Sequence, residues 1–344
     1  DILFKDIFAF YSSFELGVAP ELPELDVQYK DYAAWQNGQL EKGLFKKEEA
    51  YFKDTFSGEI PVLNFTNDKI RPAVKTVNGF ALKSYLSKET TTKFKTLCAA
   101  NEGSVFMGLL AVWNVLLYKY TNSKDIVIGT SVAGRDHADL KGQIGCYINS
   151  LPLRNQIDPA QTFNTFFSTV KENTLNALDC QFYPFSHLLE LINYKKDMSR
   201  FPLFDVMLLL QNAVDNSSNY VVDEAQIKGI KELGETSALT DLDINFIEEG
   251  DYLCCHLVYN IDVFESEYIT DLLMHFKQLI KKIVLNPNMP IEEIDYLSEN
   301  EKEELLVDFN NITLDYDPKE TLLSLFETQV KQTPNSVALV PGKK

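Results

Sequence analysis

The run from Phe106 to Leu117 restricts the fold more than any other segment. Phe106, Leu109, Leu110, Trp113, Leu117 and Tyr120 recur at helical spacing, and most residues between them are apolar too. Such a helix has little surface suited to water and must be packed on several sides. It is too short to span a bilayer, which takes about 20 apolar residues, and Asn114 interrupts it. Nearby lie short β-branched or alternating runs, Ile126-Val127-Ile128 among them. A buried helix mixed with strands along the whole chain predicts an α/β or α+β layered domain.

The remaining periodicities fill in that architecture. Leu3, Ile7, Phe10 and Phe14 give a strongly apolar helix face that stops near Gly17. Tyr29 to about Phe56 reads as helix with a break at Gly43. Phe80, Leu82, Ser84 and Leu86 alternate as a strand, after which Ser87 caps a helix to about Ala99. Gly129 to Gly145 is loop, and Tyr147 to Leu153 returns to strand. Phe163, Phe166, Phe167, Val170 and Leu178 predict a long helix, Pro184 starts another, and Leu203 to Leu210 is a strand. Leu242, Ile244 and Phe246 alternate, Glu249-Gly250-Asp251 turns, and Leu253, Cys255, Leu257 and Tyr259 alternate back as a hairpin. Ser266 to Leu285 is amphipathic helix ended by Asn286-Pro287. Beyond it, Ser298 and Glu301 fit a capping box. A last helix carries Leu322, Leu325, Phe326 and Val330, and Val337 to Val340 reads as a strand with no partner in this chain.

The 344 residues include 32 Lys and Arg against 50 Asp and Glu, a net charge of −18. That balance disfavours nucleic acid, whose phosphates need cations, and disfavours anionic membranes. Five irregularly spaced cysteines without a CxxC pair suit a reducing, cytoplasmic setting. The first residues, Asp1-Ile2-Leu3-Phe4-Lys5-Asp6, lack Met and any basic leader and begin in helical pattern, so the expectation is an interior cut through a longer chain.

Five segments taken together resemble the condensation domain of nonribosomal peptide synthetases. They are Tyr29-Lys30-Asp31-Tyr32-Ala33-Ala34-Trp35-Gln36; Val127 through Ala133-Gly134-Arg135; Ile144-Gly145-Cys146-Tyr147-Ile148-Asn149-Ser150-Leu151-Pro152-Leu153-Arg154; Tyr183-Pro184-Phe185 with Leu188; and Ser199-Arg200-Phe201-Pro202-Leu203-Phe204-Asp205-Val206-Met207. Each alone is weak, but their order and spacing follow the family. The tail around Leu325-Phe326-Glu327-Thr328-Gln329-Val330 and Thr333-Pro334-Asn335-Ser336-Val337-Ala338 is similar to the opening of an adenylation domain.

The resemblance implies a chloramphenicol acetyltransferase-like α/β fold: a C-terminal lobe with part of the N-terminal lobe, and a mixed sheet flanked by helices. Residues 1–297 would be a partial condensation domain, 298–317 a linker and 318–344 the stub of an adenylation domain. No cofactor would bind directly, since substrates ride on phosphopantetheine arms of peptidyl carrier proteins. The partners would be those carriers, the adjoining adenylation domain and the missing N-terminal lobe. The family signature H-H-x-x-x-D-G is absent. His137, His187, His256 and His275 are unpaired in sequence, so no catalytic residue is expected here and the isolated chain is expected to be inactive. Heterocyclisation or epimerisation relatives of the same fold, or a fragment that only docks carriers, are the competing readings.

The resemblance makes Arg135 an active-site scaffold that braces the Asp of that signature. With that Asp missing, the expectation is an unpaired, exposed Arg. It places Tyr147, Asn149 and Ser150 along the substrate tunnel; the competing reading has them as packing or backbone-bonded strand residues. Asp136 and His137 are neighbours in a loop and read as solvated, and His187 as a helix-surface residue. Cys254 and His256 share one strand face with Cys255 on the other, so no tetrahedral metal site is expected. Trp35 is expected to pack its helix onto the lobe. A lobe parted from its neighbour would expose apolar surface and self-associate.

Overall fold

Seven strands form one sheet in the order β3-β2-β4-β6-β7-β1-β5 in a computed structural model of the chain. Residues 2–65, 69–211, 224–311 and 321–337 are described. They fall into two units, 1–296 and 297–344. The first unit opens with α1 (Ile2–Leu16), α2 (Tyr29–Glu41) and α3 (Lys46–Thr55), then β1 (Asn78–Tyr85), α4 (Lys88–Ala100), α5 (Val105–Thr121), β2 (Asp125–Val132) and β3 (Asn149–Gln156). It continues through α6 (Phe163–Leu178), α7 (Phe185–Leu191), β4 (Val206–Gln211), α8 (Glu224–Lys228), β5 (Lys231–Ser237), the hairpin β6 (Leu242–Glu249) and β7 (Tyr252–Asn260), and α9 (Ser266–Leu285).

The adjoining strands β2, β4 and β6 run parallel, and every other neighbour is antiparallel. Alternation along the strands sends Ile128, Leu151, Leu208, Ile244, Leu257 and Leu82 to one face, all buried. There α5 lies sandwiched, with Leu109 to Leu117 buried without exception. Trp113 stacks on Phe276 of α9 at 4.9 Å between ring centres, and Phe276 lies 5.5 Å from Phe246 of β6. Asn114 donates to the Leu110 carbonyl at 2.7 Å, which lets one polar residue sit inside this helix. No single described helix is long and apolar enough to cross a membrane.

The ends of the parallel strands are fixed by charge. Val206 pairs with Leu242, so the residues just before them, Asp205 and Asp241, are brought together at adjoining strand starts. Both are buried. Arg71 grips Asp241 with both Nη atoms and donates to the Ser199 carbonyl at 3.2 Å. Arg200 donates to Asp205 and, at 3.1 Å, to the Leu63 carbonyl. At the other edge Arg154 of β3 forks onto Asp125 of β2 and reaches the carbonyls of Thr55, Ser57 and Glu59, tying the end of α3 to the sheet.

Burial first, then the Asp241 carboxylate, pushes Asp205 up to about 6 from its usual 3.8, against the opposing pull of Arg200 and Arg71. The folded state then binds more protons here than the unfolded state between about pH 4 and 6, so this group's contribution to stability falls as pH rises through that window. Urea midpoints of wild type and Asp205→Asn at pH 4.5 and 7 test it. The wild type's stability relative to the variant is expected to drop at the higher pH, and a constant or rising difference would contradict the assignment.

Several elements differ from their sequence-based limits. The strand expected over Tyr147–Leu153 runs from Asn149 to Gln156, and that expected from Leu203 begins at Val206. Leu203 has φ +70°, outside extended geometry, and Ser199 to Asp205 form the turn before the strand. β5 has no counterpart in the sequence reading. The apolar face of α1 is left largely open: none of its residues is buried, Phe14 is 81% exposed and Phe4 65%. In the second unit Ser298 and Glu301 form the expected capping box at the start of α10 (Glu299–Glu303). Its last described helix is α11 (Leu322–Gln332), begun by Thr321. The strand expected at Val337–Val340 lies outside the described residues beyond Val337.

Candidate functional site

β2 leads directly into the loop that carries Arg135. The chain leaves the strand through Gly134 at φ +62°, where a Cβ would stand 2.2 Å from the Tyr147 carbonyl oxygen. Only glycine fits both the dihedral and the space. Arg135 is then turned inward. Nη1 donates to the carbonyls of Leu140 at 2.6 Å and Gln143 at 2.7 Å, and Nη2 to Gly145 at 3.0 Å. Its guanidinium lies 4.2 Å from the centre of the Tyr147 ring. The expected exposed, unpaired arginine is therefore corrected: three main-chain carbonyls hold it, so an acidic partner is not needed to order it. Among the described residues no carboxylate pairs with it.

Gln143 is the hub beneath. Its side chain is 1% exposed, its Nε2 donates to the Asp139 carbonyl at 2.9 Å, and its Oε1 accepts the Tyr147 hydroxyl. Tyr29 and Tyr32 of α2 close on Tyr147 at 5.1 and 4.7 Å, and the Tyr29 hydroxyl donates to the Cys146 carbonyl at 3.0 Å. Burial raises the Tyr147 phenol above its ordinary value, and Arg135 beside it pulls the other way. Tyr147, 4% exposed, is thus a packing element of the loop. A recess of about 400 Å³ is lined by Ile2, Leu3, Arg135, Gln143, Ile144 and Gly145.

Asn149 binds backbone. Its Nδ2 donates to the carbonyls of Gln181 and Tyr183, both at 2.8 Å, and its Oδ1 accepts from the Phe185 amide at 3.0 Å. It ties β3 to the first turn of α7. Ser150 is half-buried and pairs across the ladder with Ser131. Ser131 in turn lies 3.9 Å from the Met207 sulfur. Arg135 and Tyr147 therefore meet at the loop, Asn149 faces the α7 turn, and Ser150 lies on the sheet.

The four histidines are dispersed. His137 is 73% exposed and His187 43% at the side chain. His275 on α9 contacts the Tyr120 hydroxyl at 2.5 Å. His256 lies in β7 opposite Lys83 and Asn245. Burial, then Lys83, lowers its pKa below the usual value. Trp35 on α2 is 48% exposed, with its ring centre 5.8 Å from that of Tyr32. Cys254 and Cys255 are buried and free. The described residues contain no group of three or more His, Cys, Asp or Glu fit to hold a metal. Sequence reasoning missed Gln143, Tyr29 and Tyr32 as loop supports; the aromatic pair in Tyr29-Lys30-Asp31-Tyr32 was the one available signal.

Comparison with known proteins bears on this geometry. The condensation-domain family model matches residues 1–306. Gramicidin S synthase 2 of Brevibacillus brevis is 36% identical over 327 residues, covering 95% of this chain and 7% of that protein. The chain therefore spans a small fraction of that relative's length. Among solved structures, the X-domain from teicoplanin biosynthesis superposes with a TM-score of 0.75 at 22% identity, over 86% of this chain and 68% of that one. A four-domain nonribosomal peptide synthetase bound to AMP and glycine gives 0.71 at 21%, over 85% and 23%. These neighbours share the chloramphenicol acetyltransferase-like fold.

Proposed function

The chain belongs to the condensation-domain family, and from that premise we propose that it forms the Arg135-braced part of a peptide-bond-forming chamber in a nonribosomal peptide synthetase. In that reaction an amine on one carrier attacks a thioester on the other. The C–N bond forms, the C–S bond breaks, the amine gives up a proton and the phosphopantetheine thiol leaves protonated. Holding the two arms together supplies much of the rate, because a bimolecular encounter becomes an intramolecular one.

The observation that carries this reading is the state of the Arg135 guanidinium. Three of its five N–H groups hold the loop, which leaves the Nε–H and one Nη2–H for a further acceptor, and Arg135 lines the recess together with Ile2 and Leu3. A carboxylate from the family's H-H-x-x-x-D-G segment fits there, with the charge already ordered by Tyr147. Arg135 is then a positioning residue. On the same reading residues 1–297 belong to the condensation domain, 298–317 link, and 318–344 begin an adenylation domain.

In the full synthetase, Arg135→Ala is expected to lower kcat for condensation about 100-fold with a smaller change in KM for the acceptor. Arg135→Lys keeps the charge but loses the fork, and is expected to recover only part. Unchanged kcat in Arg135→Ala would remove the proposed role. The isolated chain is expected to give no peptide from loaded carriers, since none of its four histidines stands beside another. Weak carrier binding without turnover would favour a docking role for this stretch. A heterocyclised or epimerised product from the full protein would instead identify a relative of the same fold.

A further inference from the structure

Between α2 and the loop that follows Arg135 lies a cavity of about 620 Å³ that the reading above does not use. Its walls are Val27, Tyr32, Trp35, Leu140 and Phe182. Tyr32 and Trp35 both line it, with ring centres 5.8 Å apart and planes tilted by 34°. The polar groups on its lining are of one kind: Asp31, Asp136 and Asp139, with His137 beside them and no lysine or arginine. Asp31 Oδ2 accepts the Gln28 amide and Asp136 Oδ2 the Gln181 side chain, both at 2.9 Å. His137 Nδ1 stands 3.4 Å from Asp139 Oδ2.

An aromatic wall and a carboxylate rim act in the same direction. Ring faces attract cations through their quadrupole, and the rim adds charge attraction where the apolar wall thins the water. The volume is that of a small-ligand site. We propose that this cavity binds a small organic cation, a primary ammonium carried on an aromatic or alkyl stem, with the stem against Trp35 and Phe182 and the head among the three aspartates. The site does not rest on the condensation reading: Arg135 and its recess do not line it, although Tyr32 and Leu140 also support the Arg135 loop.

The chain has two tryptophans, and Trp113 is wholly buried, so a change in fluorescence on adding ligand reads Trp35. Titration of the full chain with 2-phenylethylammonium is expected to give a saturable change with half-saturation at about 1–5 mM. The uncharged isostere 2-phenylethanol is expected to bind about fivefold to tenfold more weakly. Asp136→Asn combined with Asp139→Asn is expected to weaken the amine about fivefold without altering the circular dichroism spectrum. Equal binding of alcohol and amine, or no saturation by about 20 mM amine, overturns the proposal. A response to a lysine-rich peptide but not to the amine would also overturn it. The comparison of the two small ligands uses the unmodified chain, so a variant that fails to fold does not shield the idea.

Discussion

Arg71→Met is expected to destabilise the first unit by about 3–5 kcal/mol, read as a lowered urea midpoint. The reason is the partner left behind. Asp241 is 1% exposed, and Arg71 supplies two of its contacts from a segment distant in sequence. A carboxylate without that cation keeps its desolvation cost and loses its counter-charge. The loss spreads, because Arg71 also holds the Ser199 carbonyl in the turn that precedes β4. Adding Asp241→Asn to Arg71→Met should recover part of the deficit, with a coupling of about 1–3 kcal/mol in a double-mutant cycle. A single-variant effect within about 0.5 kcal/mol would show that the pair adds no more than an ordinary surface contact.

Gly134→Ala ranks next. Its φ of +62° alone costs an L-residue about 1–2 kcal/mol. Here the new methyl also meets the Tyr147 carbonyl, a main-chain atom that cannot rotate away. The total expected is about 2–4 kcal/mol. Gly17 supplies the control: its φ is +68°, and nothing lies within 4 Å of the position a Cβ would take. Gly17→Ala should therefore report the dihedral term alone, and the difference between the variants is the clash. In the full synthetase Gly134→Ala is expected to lose condensation together with Arg135→Ala, because both release the same loop. Equal, small effects at the two glycines would mean that the Arg135 loop gives way easily.

Much of the sheet was legible because its buried face obeys period two. The β6–β7 hairpin alternates in burial from Leu242 to Phe246 and from Cys255 to Tyr259, and α9 occupies the limits its amphipathic period predicts. β5 was not legible. Lys231-Glu232-Leu233-Gly234-Glu235-Thr236-Ser237 is charged and mostly exposed at the sheet edge, so it lacks the apolar period that marks a strand. The bonds of the Arg135 loop were not legible either. Arg135 stood out by its setting after Ala133-Gly134, yet its partners are carbonyls, which every residue carries and no sequence pattern marks. Gln143 has the same difficulty: its importance comes from lying under Tyr147 and Asp139, four residues away on either side. Asn149 was left between two uses because a strand asparagine looks alike whether it faces a ligand or, as here, the α7 turn.

The strand order has a consequence for synthesis on the ribosome. β1 is the first of these seven strands to emerge, yet its ladder neighbours are β7 and β5. At about 5–20 residues per second, β7 follows roughly 10–35 s later, since some 170 residues intervene. Through that interval the nascent chain carries Leu82 and its neighbours without the surface that finally shelters them. Translation halted before residue 260 should leave a species that chaperones retain, and release past that point should free it.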